Sequence, residues 1–386
     1  MDASTSSTNR ATALLDVFRQ GLQVSGDQQA QAMLGDRSTY LGISDIARYA
    51  DCPRAAIANK LQAQTDTLNR LLTLQRGHWF EAGVGECLAA INRNTLAQLE
   101  IQYTWQRAPI RSHLDFTLVW NTPMPAVRVV EVKSMEALPV SPYNAHAVQI
   151  QGQVDLLHAL WNEPVFSLRN TTGQIQYSNL TFPELCKKHC GVQLPASPQK
   201  VSLEGWLLCL SMKDARAFGP YKYDKDSLSA LLTMADDYWT ALQAVAHNKM
   251  ALSDVSHASG FHLLCANCDW NADCPKFSCG EDQPQWDAAL AKLEKLKARR
   301  TDIDTEIKEM ETALKQAHTL SGVKGWINTG NYRFRTTTTA GRRTLDKDGL
   351  CEELVGLCES INIPALFQKH EHEGSSYTRL SITPIN

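Results

Sequence analysis

The chain has 386 residues, of which 43% are hydrophobic and 20% charged, and a formal net charge of −3. That length suits two units, or one core with appendages. No apolar run approaches a membrane span, and the charge excludes a uniformly basic nucleic-acid binder: a DNA-acting chain of this composition must concentrate its Lys and Arg locally. The eleven cysteines are an odd number, and the Ser/Thr-rich N-terminus has no apolar signal stretch. Both features point to a reducing compartment and to metal binding rather than a disulfide framework.

In chain order, residues 1–37 read as a flexible polar arm with one short apolar stretch, ALLDVF. Residues 41–61 (LGISDIARYADCPRAAIANKL) hold two short helices. Ser44 is placed as N-cap of the first, and Cys52-Pro53-Arg54 breaks between them. A lone cysteine there is ordinarily a small buried hydrophobe. Residues 66–93 read as a helix carrying Arg76, His78 and Glu81, and residues 101–105 begin a sheet. The runs HLDFTLVW (113–120) and VRVVEV (127–132), joined by Asn-Thr-Pro-Met-Pro, predict a β-hairpin. Alternation puts Glu131 and Lys133 on one face with Val129 behind them, and Asp115 is brought opposite from the neighbouring strand. Two carboxylates and an ammonium therefore converge. Such a set holds a hard cation, Mg2+ or Mn2+, through oxygen. The cation activates water and stabilises charge on a phosphoryl oxygen, while the lysine orients the water or steadies negative charge. The alternative is an edge-strand ion pair with no chemistry; against it, these charges interrupt apolar strands and an acid precedes them at a fitting distance.

A helix follows at residues 144–161, then an irregular stretch at 164–200 in which Cys186 and Cys190 are structural or incidental. Residues 204–212 read as a buried strand and 226–248 as an amphipathic helix. Cys265, Cys268 and Cys274 then stand as C-x2-C-x5-C before Pro275, with Cys279 beyond. Three thiols this close signal a metal, and tetrahedral thiolate sites suit zinc or iron–sulfur. Spacing leaves both open, and Cys279 could complete a local four-thiolate zinc site. From Trp286 to Leu314, apolar residues recur at spacings near three and four among charges, which predicts a long helix or coiled coil, or a solvated helix packed on the protein's own body. Residues 332–339 (YRFRTTTT) read as a strand, 346–360 as a helix and 377–383 as a last strand. Arg333, Arg335, Arg342 and Arg343 form the densest arginine patch, suited to phosphates or to guarding a strand edge.

The acid, the gap and the Glu131-x-Lys133 motif resemble the PD-(D/E)xK nuclease superfamily. RGHWFEAGVGECL (76–88) resembles its first motif, a helix opening Arg-Gly with an acid or histidine four residues after the glycine. Glu81 takes that place, with His78 a weaker candidate. YNAHAVQIQGQVDLL (143–157) resembles the Tyr-x-x-Gln-Val-Gln-type helix of the phage lambda exonuclease (YqaJ-like) branch, in which glutamines after the catalytic lysine line the site. The resemblance implies catalytic roles for Asp115, Glu131, Lys133, Gln149 and Gln153, and a Mg2+ or Mn2+ site from Glu81, Asp115 and Glu131, with His78 nearby. It further implies DNA contacts from Arg76, Tyr143 and Gln151; Tyr143 lies six residues before Gln149, so the match is inexact. A Tyr-x-x-Cys-Pro-Arg before these motifs and C-x2-C-x5-C-Pro after them resemble the superfamily's iron–sulfur nucleases. By position that implies a [4Fe–4S] cluster on Cys52, Cys265, Cys268 and Cys274, leaving Cys279 over. The order after residue 286 loosely resembles the C-terminal extension of phage YqaJ-type recombination nucleases.

The expected fold class is thus α/β, a restriction-endonuclease-like core with a central mixed sheet flanked by helices. Residues 38–282 form the nuclease core with its cluster, and 283–386 a long helix or coiled coil plus a small basic α/β extension. The expected function is a Mg/Mn-dependent DNA exonuclease, acting from ends and in the 5′-to-3′ sense, in the bacterial or phage-infected cytoplasm. Its partners by the same analogy are DNA ends or single strands, a single-strand annealing protein and further copies of itself, with no membrane. Two rival readings remain: a nuclease subunit of a CRISPR-adaptation or helicase–nuclease complex, and a non-cleaving DNA binder with a degenerate nuclease fold.

Overall fold

A computed structural model describes residues 3–62, 67–91, 94–170, 172–258, 265, 268–277, 286–329 and 332–336. The chain divides into two units, Met1–Gln283 and Pro284–Asn386. The first opens with α1 (Ala3–Leu34). The stretch expected to be a loose polar arm is therefore one helix: it contains no proline, and Ala, Leu, Gln and Arg recur along it, all good helix formers. Gly35 stops it in the left-handed region at φ 64, the usual conformation beyond a helix end.

A two-residue strand, β1 (Leu41–Gly42), leads into α2 (Ile43–Asp51) and α3 (Pro53–Leu61). They meet at Cys52, whose extended backbone ends one helix and starts the next, with Pro53 at the first helical position. Gly42, not Ser44, caps α2. Asp45 reaches back to accept from the Gly42 amide at 3.0 Å, so Ser44 falls inside the first turn. Next comes α4 (Leu68–Ala90), capped by Thr67.

Seven longer strands follow: β2 (Thr95–Trp105), β3 (Ala108–Trp120), β4 (Ala126–Ser134), β5 (Phe166–Arg169), β6 (Ile175–Leu180), β7 (Ser202–Leu210) and β8 (Ala215–Tyr221). They form one sheet in the order β6-β5-β2-β3-β4-β7-β8, with β1 beside β3. The β4–β7 and β1–β3 pairs are parallel and the others antiparallel. The fold is thus α/β, a mixed central sheet flanked by helices, with α5 (Asn144–Ala159), α6 (Phe182–Cys190) and α7 (Lys225–Ala246) completing the unit. The stretch 164–200, expected to be irregular, contains β5, β6 and α6. Strand β6 lies at the sheet's edge and is largely exposed, so it carries no apolar alternation to announce it. The other edge strand, β8, went unseen for the same reason.

The core of the unit lies between the sheet and α5, where Leu99, Leu114, Val129, Ile150, Leu157 and Trp161 are all but fully buried. Helix α5 approaches the sheet closely at one point. A Cβ on Gly205 would stand 2.5 Å from Val154 Cγ2, so only glycine in β7 lets the helix settle there. That seating lays α5 across β4.

In the second unit, α8 (Asp287–Leu320) precedes the antiparallel pair β9 (Ile327–Thr329) and β10 (Tyr332–Phe334). The strand expected over 332–339 ends at Phe334, Arg335 and Thr336 follow it outside the strand, and 337–339 lie outside the described residues. Cys279, Arg342, Arg343, the helix expected at 346–360 and the strand at 377–383 lie outside the described residues. No helix among the described residues is long and apolar enough to cross a membrane.

Candidate active site

The β3–β4 hairpin sets the centre. Its pairing runs from Trp120–Ala126 to Phe116–Val130, and Asp115 stands one step beyond. There the Asp115 side chain takes over from the ladder, its Oδ2 accepting from the Val132 amide at 2.8 Å. Glu131 and Lys133 share a face, and Lys133 Nζ donates to Glu131 Oε1 at 2.7 Å.

Helix α5 contributes the glutamines one turn apart, on one face by helical spacing. Gln149 donates to Glu131 Oε1 at 2.6 Å and accepts from Lys133 at 2.9 Å. Gln153 donates to Glu131 Oε2 at 2.6 Å and to the His113 carbonyl at 3.1 Å. Glu131, 2% exposed, is thus gripped on both oxygens. Three of a carboxylate's roughly four acceptor positions are taken, leaving about one for a ligand. Gln151 points elsewhere: it donates to Asp155 at 2.9 Å and to the Lys222 carbonyl at 2.7 Å. Its position two residues from either partner rotates it off their face.

From the other side α4 brings Glu81, which accepts from Gln98. Gln98 was not foreseen. It falls opposite Asp115, between the pairs Ala97–Phe116 and Leu99–Leu114, and adopts φ 53 inside β2. A left-handed glutamine in a strand is strained, and such residues cluster at functional sites. His146, one turn before Gln149, was also missed. Burial first, then the Lys133 charge, pushes its imidazole down to about 4, and its buried Nδ1 has no hydrogen-bond partner among the described residues. Tyr143 lies edge-on to it at 5.5 Å. Arg76 on α4 donates weakly to Ser134 Oγ at 3.4 Å. His78 is exposed, and no interaction among the described residues ties it to the cluster.

The electrostatics explain what the cluster wants. Burial, then Glu131 and Glu81, raise the Asp115 carboxyl well above its ordinary range. Burial also raises Glu81, with Glu131 adding to it and the Gln98 bond opposing. Burial works against the Lys133 charge, but Glu131, Asp115 and Glu81 hold the ammonium above its usual value. Three acids face one lysine, so the site binds a proton more readily than an isolated carboxylate would. A hard cation answers the same excess of charge.

A second cluster gathers the cysteines. Burial, then Cys52, Cys265 and Cys274, raise the Cys268 thiol, the Trp270 amide opposing them, so the Cys268 sulfur lies within the field of the other three. Helix α3 holds the cysteine loop from 216 positions away in sequence. Arg54 donates to the Trp270 and Asp273 carbonyls at 3.2 and 3.1 Å, and Trp270 donates to Asn59 at 3.3 Å. Lys276, 4% exposed, directs its ammonium to Cys265 Sγ at 3.7 Å. A buried cation on a sulfur suits anionic thiolates. Among the described residues, however, no three His, Cys, Asp or Glu side chains stand together as ligands of one ion, here or around Glu131.

In the second unit Arg333 and Arg335 lie 4.7 and 4.8 Å from the Trp326 ring centre, an arrangement that orders them by cation–π attraction. No family model matches the chain, and no curated protein matches it. Among solved structures, one named "Crystal structure of SSO0001" is similar at a TM-score of 0.39 and 13% identity, over 69% of this chain and 96% of that one.

Proposed function

We propose that the chain is a metal-dependent DNA exonuclease with a PD-(D/E)xK core, hydrolysing phosphodiester bonds from DNA ends. The observation that carries this reading is the convergence of Asp115, Glu131 and Lys133 under Gln149 and Gln153, with Glu81 adding a third acid. Asp115 and Glu131 would hold Mg2+ or Mn2+, and Glu81 shapes the site from α4. When bound, the cation supplies charge stabilisation at a phosphoryl oxygen and acidifies water. Lys133, kept protonated by its acids, orients that water and offsets negative charge as it develops. Gln149 and Gln153 fix the Glu131 carboxylate so that it need not reorganise during the reaction. His146, neutral at pH 7, adds no competing charge beside Lys133. Cys52, Cys265, Cys268 and Cys274 would hold a [4Fe–4S] centre, a reading supported by the Arg54 and Lys276 contacts to the cysteine loop, with a structural role: it would pin α3 to the chain after α7. DNA is the proposed partner, together with a single-strand annealing protein, in a bacterial or phage-infected cytoplasm.

The test is incubation of the protein with end-labelled linear and closed circular DNA in Mg2+ or Mn2+, followed on a gel. Loss of linear DNA from its 5′ ends, with circles left intact, is expected. No cleavage of any DNA would favour a non-cleaving binder, efficient cutting of circles would reject end-dependence, and digestion strictly from 3′ ends would reject the polarity.

A further inference from the structure

Helix α8 carries a charge order that physics within one helix does not explain. Lys295, Lys297, Arg299 and Arg300 stand just before its middle and Asp302, Asp304 and Glu306 just after it, with Glu294 and Lys308 beyond the two blocks. The helix ends follow the dipole, with Asp287 in the first turn and His318 in the last, so the dipole does not account for the order in the middle. A heptad seam follows one side. Leu293, Arg300, Ile307 and Leu314 take one core position, and Leu296, Ile303 and Met310 take the other. Five of these, Leu296, Ile303, Ile307, Met310 and Leu314, are between 45% and 62% exposed. The helix has 34 residues, a seam roughly 50 Å long at 1.5 Å per residue.

We propose that α8 pairs with α8 of a second copy of this chain as an antiparallel coiled coil. Laid antiparallel about the middle of the seam, Leu293 meets Met310 of the second copy, Leu296 meets Ile307, and Arg300 meets Ile303. The flanking positions then set Lys297 beside Asp304 of the second copy and Arg299 beside Glu306, each repeated by the twofold axis. A parallel pair in register would instead oppose Lys292 to Lys297 and Glu306 to Glu311, leaving Arg299 with Asp304 as its favourable contact. Arg300, the polar interruption of the seam, already leans its guanidinium onto Asp304 of its own helix at 3.5 Å, so its aliphatic stem can cover the seam while its charge stays in water. Apolar contact supplies the affinity. The exposed ion pairs are individually weak, and their role is to select orientation and partner. The proposal does not depend on the nuclease reading.

Sedimentation of the full-length protein at micromolar concentration should give the mass of two chains. The double variant Ile303→Asp, Ile307→Asp should halve that mass with its far-UV circular dichroism unchanged, because the residues replaced are exposed. A photo-crosslinking amino acid in place of Leu290, in a mixture of isotopically light and heavy chains, should join to residues near Glu311 of the other copy. A monomeric parent protein, or a double variant that still sediments as a dimer, would overturn the proposal. So would crosslinks near Leu290 of the other copy, which mark a parallel pair, or crosslinks within one chain to residues 337–386, which mark the seam as covered by the chain itself.

Discussion

The acid centre and the cysteine centre hold their chemical groups by opposite means. Asp115, Glu131, Lys133, Gln149, Gln153 and Glu81 all sit on regular strands or helices, and the Glu131 carboxylate is gripped on both oxygens by side chains. Three of the four clustered cysteines sit on short turns between residues 265 and 277, held by bonds from Arg54 of α3 to the Trp270 and Asp273 carbonyls. The first centre is set by side chains on regular elements, which suits a site that must not reorganise during the proposed reaction. The second is carried by short turns, so the metal centre proposed there would contribute directly to folding. Neutralising an acid without change of shape should therefore change chemistry and leave the fold, and perturbing the cysteines should change the fold and reach chemistry only through it.

The sharpest test is Asp115→Asn. Cleavage should fall on the order of 1,000-fold, as loss of a group acting on transition-state charge does. Thermal unfolding at pH 8 should move upward, because a carboxyl raised by burial and by two neighbouring acids is neutralised without change of shape. A loss of both activity and stability would break the contrast. Glu131→Ala is the control that loses both. It strands Lys133, Gln149 and Gln153 around a hole, at about 3–5 kcal/mol, the scale for breaking a buried pair.

Cys52→Ala should give the complementary pattern. Iron and acid-labile sulfide, expected in about equal amounts in anaerobically purified protein, should be lost, with a fall of several degrees in Tm and only a secondary fall in cleavage. A local zinc site using Cys279 predicts the reverse, with Cys52→Ala harmless and Cys279→Ala damaging. Stoichiometric zinc without iron or sulfide would decide for it.

The third test separates proton from cation. Asp115 binds its proton above the ordinary carboxylate range, so at fixed low Mn2+ cleavage should rise as pH rises through that raised value. Proton and cation compete for the same oxygens, so more Mn2+ should shift the midpoint to lower pH. A midpoint indifferent to Mn2+ would place the titrating group elsewhere.

The smallest effect concerns Gln98. Gln98→Gly removes the left-handed strain and should stabilise the fold by about 1 kcal/mol. It also removes the donor that holds Glu81, and cleavage should fall by less than about tenfold, read as kcat at saturating cation. Unchanged kcat would make the strain a feature of the sheet rather than of the site.

The β3–β4 hairpin, α4, α5, β7, α7 and α8 were legible in the sequence because each repeats a local pattern. Alternation of two marks a strand buried on a face, and a period near 3.6 marks a helix with a buried side. The same alternation put Glu131 with Lys133, while Gln149 and Gln153 were marked by the resemblance of their helix. The edge strands β6 and β8 carry no such pattern, since an edge need bury neither face. Helix α1 was obscured by polar residues that favour helix without an apolar stripe. What only the tertiary structure decided is which distant groups meet. Gln98 reaches Glu81 from a left-handed position inside β2, opposite Asp115, and His146 comes within the field of Lys133 on an α5 that Gly205 lets lie close on the sheet. Gln151 was equal to its neighbours in the motif and is turned away by its place on the helix. Such meetings depend on packing between segments far apart in the chain. They leave no periodic trace along it, because the residue types at either end of a contact are fixed only by the partner that folding brings.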